Sequence, residues 1–119
     1  MARTRNVYEY LDEVLYSLCQ HDCNIMECWV PYSCTAISAQ LGISVYAARK
    51  CMRKLVENGL AVRDSMILDS EESYLPVVGF CLADNGRKTE AYKRASKEEA
   101  KYCAEIFGGV TEDYIRAFA

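Results

Sequence analysis

Two groups of residues in this sequence have the types and spacing to do chemistry, and the first is sulfur with imidazole: Cys19, Cys23, Cys28 and Cys34, with His21 among them. Thiolates and imidazole are the usual ligands of zinc, low-pKa thiols are redox-active, and a histidine beside a thiol can serve as its base. Successive cysteines are separated by three, four and five residues, which is not the paired CxxC arrangement of a zinc site. The plainer reading is reduced thiols, several of them in the core as small hydrophobes, with His21 as polar loop surface. The chain has neither a glycine-rich phosphate loop nor a Ser/His/Asp set. It therefore reads as a non-enzyme, with no catalytic residues, no metal and no cofactor.

The second group is basic. Arg49, Lys50, Arg53 and Lys54 fall at helical spacing with Tyr46, and Ala47 beside them is small enough to admit a close partner. Charge is unevenly distributed along the chain. Residues 33–64 hold five basic and two acidic groups, a balance of +3, whereas residues 1–32 and 65–119 each sum to −3, giving −3 for the whole. Global basicity, which would by itself suggest nucleic acid, is absent, so any phosphate-binding footprint must be local to this segment.

The elements that would position these groups follow from periodicity and capping. The 119 residues, 51% hydrophobic and 26% charged, suit one domain, 1–119, with one core. Val7, Leu11, Val14, Leu15 and Leu18 recur at three- and four-residue steps and predict an amphipathic first helix over about 6–19. From Gln20 to Pro31 no period holds, which predicts a connection with a short strand at Trp29 and Val30. Ser33 is placed to cap a second helix over Thr35–Leu41, Gly42 to end it, and Ser44 to cap a third running to about Asn58, where Gly59 stops it. Ala48, Met52 and Leu55 then share one face and pack on Ile37 and Leu41. Segments 61–68 and 73–82 read as a β-hairpin with the polar tip Asp69-Ser70-Glu71-Glu72, Pro76 lying at an edge or bulge. Asp84 is expected to cap a long helix to about Phe107, with Gly108 and Gly109 ending it and a short last helix beginning at Thr111.

This order of elements, and the run Thr35-Ala-Ile-Ser-Ala-Gln-Leu-Gly-Ile-Ser-Val-Tyr-Ala-Ala-Arg-Lys-Cys-Met-Arg-Lys-Leu-Val-Glu-Asn-Gly-Leu60, resemble the winged helix-turn-helix transcriptional regulators. The family's small residue falls on Ser38, its leucine-glycine-aliphatic-serine turn on Leu41 to Ser44, and its closing glycine-leucine on Gly59 and Leu60. Gly79 to Glu90 is similar to the family's exit from wing to helix. The resemblance implies a mainly helical α+β fold, a winged helix-turn-helix core over about 6–82 with a C-terminal helical extension over about 84–119. It also implies a sequence-specific DNA-binding regulator that reads double-stranded DNA with its third helix, through Ser44, Tyr46, Ala47, Arg49, Lys50, Arg53 and Lys54.

The tip acids Asp69, Glu71 and Glu72 repel phosphate, unlike the basic tips common in the family, so the helix is expected to make the contacts without the wing. Tyr92, Tyr102, Ile106, Phe107, Tyr114, Ile115 and Phe118 give the C-terminal helices enough apolar surface to predict a homodimer built with the first helix. Seven cysteines without a disulfide framework, and the absence of a long apolar run or a signal-like start, predict a soluble protein of a bacterial or phage-related cytoplasm, with no membrane association. A second class stays open: a phage or mobile-element winged-helix protein that binds and inhibits a protein or ribonucleoprotein partner, for which the acidic tip is suited.

Overall fold

Val14 and Leu18, four residues apart, are fully buried, and around them close Ile37, Ala48, Cys51, Met52, Leu55, Ala61, Leu82 and Ala95. Each large aliphatic side chain in this cluster stabilises the fold by about 1.5–3 kcal/mol through the apolar surface it removes from water. The computed structural model describes residues 6–69 and 74–107. Its helices are α1 (Leu11–Cys23), α2 (Cys34–Leu41), α3 (Val45–Glu57) and α4 (Glu90–Phe107), with strands β1 (Ala61–Asp69) and β2 (Tyr74–Leu82) between α3 and α4. Two 3-10 turns, Val7–Tyr10 and Asp84–Lys88, precede α1 and α4. This is the winged helix-turn-helix layout. Among the described residues, no helix is long and apolar enough to cross a membrane.

The helix-turn-helix is set by its caps. The Ser33 Oγ accepts from the Ala36 amide at 3.1 Å and the Ser44 Oγ from the Ala47 amide at 3.0 Å, satisfying donors that a helix start leaves unpaired. Between them Gly42 sits at φ 66°, where a side chain would be strained, and its amide closes α2 on the Ser38 carbonyl at 2.9 Å. The Ser38 hydroxyl donates to the Ile43 carbonyl, fixing the turn from inside. At the far end of α3, Gly59 donates to the Val56 carbonyl at 3.0 Å and Leu60 to that of Leu55 at 2.9 Å, a Schellman ending that sends the chain into β1.

The two strands pair antiparallel, Ala61 opposite Leu82 through Asp69 opposite Tyr74. Tyr32 adds a single bridge on the outer side of β2: its amide donates to the Phe80 carbonyl and the Phe80 amide to its own carbonyl, both at 2.9 Å. Phe80 therefore turns its polar groups away from β1, and by the two-residue repeat of a strand so does Pro76, whose missing N–H falls on that outer edge. Gly79 makes the bridge possible. A Cβ there would stand 2.5 Å from the Tyr32 carbonyl oxygen.

Several boundaries differ from expectation. The first helix continues to Cys23 and opens with the 3-10 turn capped by Asn6. The extended residue is Tyr32 and not Trp29 or Val30, because residues 24–30 bond among themselves: Cys28 and Glu27 donate to the Asn24 carbonyl and the Trp29 indole to that of Met26. Asp84 does not cap the long helix. The chain first makes the turn Asp84–Lys88, and the Thr89 Oγ1 accepts from the Tyr92 amide at 3.3 Å as α4 begins. Arg87 in that turn reaches back to both carboxylate oxygens of Asp22 on α1, at 3.2 and 3.0 Å. Farther along, the Tyr16 hydroxyl meets Glu98, and Arg94 lies 4.4 Å over the Tyr16 ring, fastening α4 along α1. The hairpin tip at 70–73 and the last helix expected from Thr111 lie outside the described residues.

Candidate nucleic-acid interface

The buried side of α3 consists of Ala47, Ala48, Cys51, Met52 and Leu55. The opposite side forms two adjacent rows at four-residue steps. One row carries Val45, Arg49, Arg53 and Glu57 toward β1 and β2, and the other carries Tyr46, Lys50 and Lys54. Tyr46, Arg49, Arg53 and Lys54 are exposed and Lys50 is half-buried. Lys50 rests 5.5 Å over the Tyr46 ring, and Lys54 pairs with Glu57 at 3.7 Å. Neither Arg49 nor Arg53 has an ion-pair partner among the described residues.

Of the residues expected to face a duplex, Tyr46, Arg49, Lys50, Arg53 and Lys54 share one outward face. Ser44 is exposed at the head of that face, with its hydroxyl engaged as the cap of α3. Ala47 is a correction. Only 3% of it is accessible, because its row continues through Cys51 and Leu55 into the core, where the Cys51 thiol donates to the Val7 carbonyl of the N-terminal 3-10 turn. At that exposure it offers a partner no outward surface.

A groove of about 550 Å³ runs between α3, the start of α2 and the base of the hairpin. Arg49 and Arg53 line it from α3, Cys34 and Thr35 from α2, and Arg63 from β1. Arg63 was not among the expected interface residues. Its place follows from register: Arg63 stands opposite Phe80, and Phe80 bridges Tyr32 just before α2, so three separate pieces of chain meet at one level. Burial pushes the Cys34 thiol above its ordinary pKa, while the charges of Arg49 and Arg53 pull it the other way. Those guanidiniums are thus felt inside the groove.

A larger cavity, about 780 Å³, lies between α1, the 24–32 segment and α4. Glu27, Glu98 and Glu99 line it. Its acidic wall disfavours phosphate, in contrast to the arginine-lined smaller groove. Among the described residues, no three of the histidine, cysteine, aspartate and glutamate side chains come together as a metal-ligand set. Cys19 and Cys51 are buried, which suits their reading as small core hydrophobes.

Among solved structures, the chain is similar to Staphylococcus aureus MarR in complex with salicylate and kanamycin, at 17% identity and TM-score 0.47, over 91% of this chain and 66% of that one. It is also similar to a cysteine-to-serine mutant of Lactococcus lactis ZitR, at 18% identity and TM-score 0.43, over 98% of this chain and 75% of that one. The chain thus spans just under two thirds of the MarR chain's length. No family model matches it, and no curated protein matches it.

Proposed function

We propose that this chain is a sequence-specific DNA-binding regulator of transcription, acting in the cytoplasm as a homodimer and reading duplex DNA with α3, without a cofactor or a catalytic step. The observation that supports this is the outward face of α3. Five cation- or ring-bearing residues, Tyr46, Arg49, Lys50, Arg53 and Lys54, stand on one capped helix while the acidic residues of the chain lie mostly elsewhere. In the major groove Arg49 and Lys50 would reach base edges or phosphate, Arg53 and Lys54 mainly phosphate, and Tyr46 a phosphate or a thymine methyl. Tyr102 and Ile106 are exposed on α4 and supply part of the apolar surface on which two copies would associate, setting two α3 helices about one duplex turn apart.

The test is selection of bound fragments from a random duplex pool, followed by gel shift across a salt series. Affinity is expected to fall steeply with salt, by about −0.9 in logarithmic slope for each phosphate neutralised. The double variant Arg49→Glu, Arg53→Glu should abolish the shift while leaving the fold intact by circular dichroism. Unchanged affinity would remove α3 from consideration. Light scattering that gives a monomer at working concentration would count against the dimer.

A second reading has its own observation. Ile25, Met26 and Trp29 are 80%, 76% and 60% exposed on the segment after α1 and do not line the arginine groove. An apolar cluster of that kind suits a protein or ribonucleoprotein partner that the winged-helix body binds and inhibits. A partner recovered from the source cell, together with no duplex affinity at low salt, would favour this reading over the first.

A further inference from the structure

The groove between α3, β1 and the start of α2 concentrates positive charge that the fold itself does not balance. Arg49, Arg53 and Arg63 line it from two different elements, and among the described residues none of the three is within ion-pair distance of a carboxylate. Glu57 is the acid on its wall, and Glu57 is taken by Lys54. Three guanidiniums lining one groove with no carboxylate to balance them give that groove a positive field, which raises the local concentration of anions. Cys34 and Thr35, the first residues of α2, open on the same space, and their amides have no carbonyl one turn behind them to bond. These donors add to the arginines as further hydrogen-bond partners for an anion.

We infer that this groove seats a phosphodiester of the duplex backbone between Arg49, Arg53 and Arg63. The inference rests on the duplex-binding reading and adds a residue and a contact to it. Arg63 brings the wing into the interface from its base, which answers the objection raised by the acidic tip at Asp69, Glu71 and Glu72. A phosphodiester fits better than a base edge. The three arginines come from two elements and converge on a cavity, whereas base readout needs side chains projecting from a surface into a groove. A guanidinium also matches phosphate oxygens with paired N–H groups. Because a phosphate carries no sequence information, loss of the contact weakens binding to all sequences alike.

The experiment compares the full chain with Arg63→Gln and with Lys97→Gln, an exposed α4 lysine outside the groove. Both are titrated with the selected duplex and with an unrelated duplex over a salt series. For Arg63→Gln the logarithmic salt slope is expected to shrink by about 1 per protomer, with affinity lowered by a similar factor for both duplexes, while Lys97→Gln matches the unsubstituted protein. Iodoacetamide labelling mapped by mass spectrometry gives a second readout: bound duplex should protect Cys34 and leave the exposed Cys28 as reactive as before. An unchanged slope for Arg63→Gln in a protein that binds duplex overturns the inference and leaves the reading of α3 standing. Absence of duplex binding by the unsubstituted protein overturns both. Titration of the free protein with inorganic phosphate separates the remaining source. Arg63-dependent phosphate binding with a salt slope that does not depend on Arg63 would assign the groove to a free anion, against the inference.

Discussion

The imidazole of His21 lies flat against the ring of Tyr32, with 4.5 Å between centroids and 3° between planes. His21 also donates from Nε2 to the Val30 carbonyl at 2.6 Å, so one side chain of α1 holds the Val30–Tyr32 stretch that leads into the helix-turn-helix. Tyr32 in turn shares a hydrogen bond with the buried Ser17 hydroxyl at 2.8 Å and bridges Phe80 through its backbone. The wing and the start of α2 are thus referred to α1 through one tyrosine. Tyr32→Phe keeps the ring stack and the bridge but removes the partner of Ser17. It should cost about 1 kcal/mol, a few degrees in thermal midpoint, with the near-ultraviolet spectrum preserved. Thermal unfolding followed by circular dichroism checks this, and a midpoint equal to that of the unsubstituted protein would mean the hydroxyl pair contributes nothing.

Two glycines separate spatial from conformational demands. At Gly79 a Cβ would lie 2.5 Å from the Tyr32 carbonyl oxygen and 2.6 Å from its carbon, both backbone atoms that cannot swing aside. Gly79→Ala should therefore break the bridge and cost at least about 2 kcal/mol. At Gly42 nothing stands within 4 Å, but the φ of 66° strains any side chain, so Gly42→Ala should cost about 1 kcal/mol. Urea titration of both variants ranks them. The order Gly42 costlier than Gly79 would refute the close approach.

Alkaline pH should destabilise the fold through its thiols. Burial pushes the Cys19 thiol from 9.0 up to about 11, the neighbouring Cys23 and Asp22 adding to the rise and a hydrogen bond to Thr89 opposing it. Burial likewise raises Cys23, Cys34, Cys51 and Cys81, as well as the Tyr32 phenol. Above pH 9 the unfolded chain releases the Cys19 proton while the folded chain keeps it, so the unfolded state binds fewer protons and stability falls with pH. The loss from Cys19 runs between pH 9 and about 11 and amounts to about 3 kcal/mol at most. Unfolding free energy measured across that window under reducing conditions should decline, and Cys19→Ala should flatten the decline more than any other single cysteine change. An unaltered decline in Cys19→Ala would contradict the assignment.

What could be read in advance divides by the range of the interactions involved. The caps Ser33 and Ser44 and the stops Gly42 and Gly59 bound their helices to within a residue of expectation, because each acts on amides or carbonyls of its own turn. Tyr46, Arg49, Arg53 and Lys54 stand exposed where helical spacing put them, for the same local reason. Ala47 and Arg63 failed for the opposite reason. An alanine suits either side of a helix, and what buries Ala47 is a row continuing into the core against a turn from the beginning of the chain. Val62, Arg63, Asp64 and Ser65 are all exposed, so β1 offers no alternation from which to choose a face, and Arg63 gains its meaning only from the register with Phe80 and the bridge to Tyr32. The cap of α4 falls on Thr89, and not Asp84, after a turn whose Arg87 reaches Asp22 on α1, a contact between distant parts of the chain that local spacing does not reveal.

The burial of Ala47 gives a prediction that separates core from interface on a single helix. A leucine in its place would, on an outward face, block close approach of a duplex and leave stability untouched. On the face it occupies, the same leucine adds three carbons to the row of Cys51 and Leu55 beside the Val7–Tyr10 turn. Overpacking of that kind costs about 1–3 kcal/mol. Ala47→Leu should therefore lower the thermal midpoint while the folded fraction binds duplex with unchanged affinity, and Arg49→Ala should do the reverse. Thermal unfolding and gel shift on both variants decide the matter: weakened binding by Ala47→Leu at an unchanged midpoint would return Ala47 to the outward face.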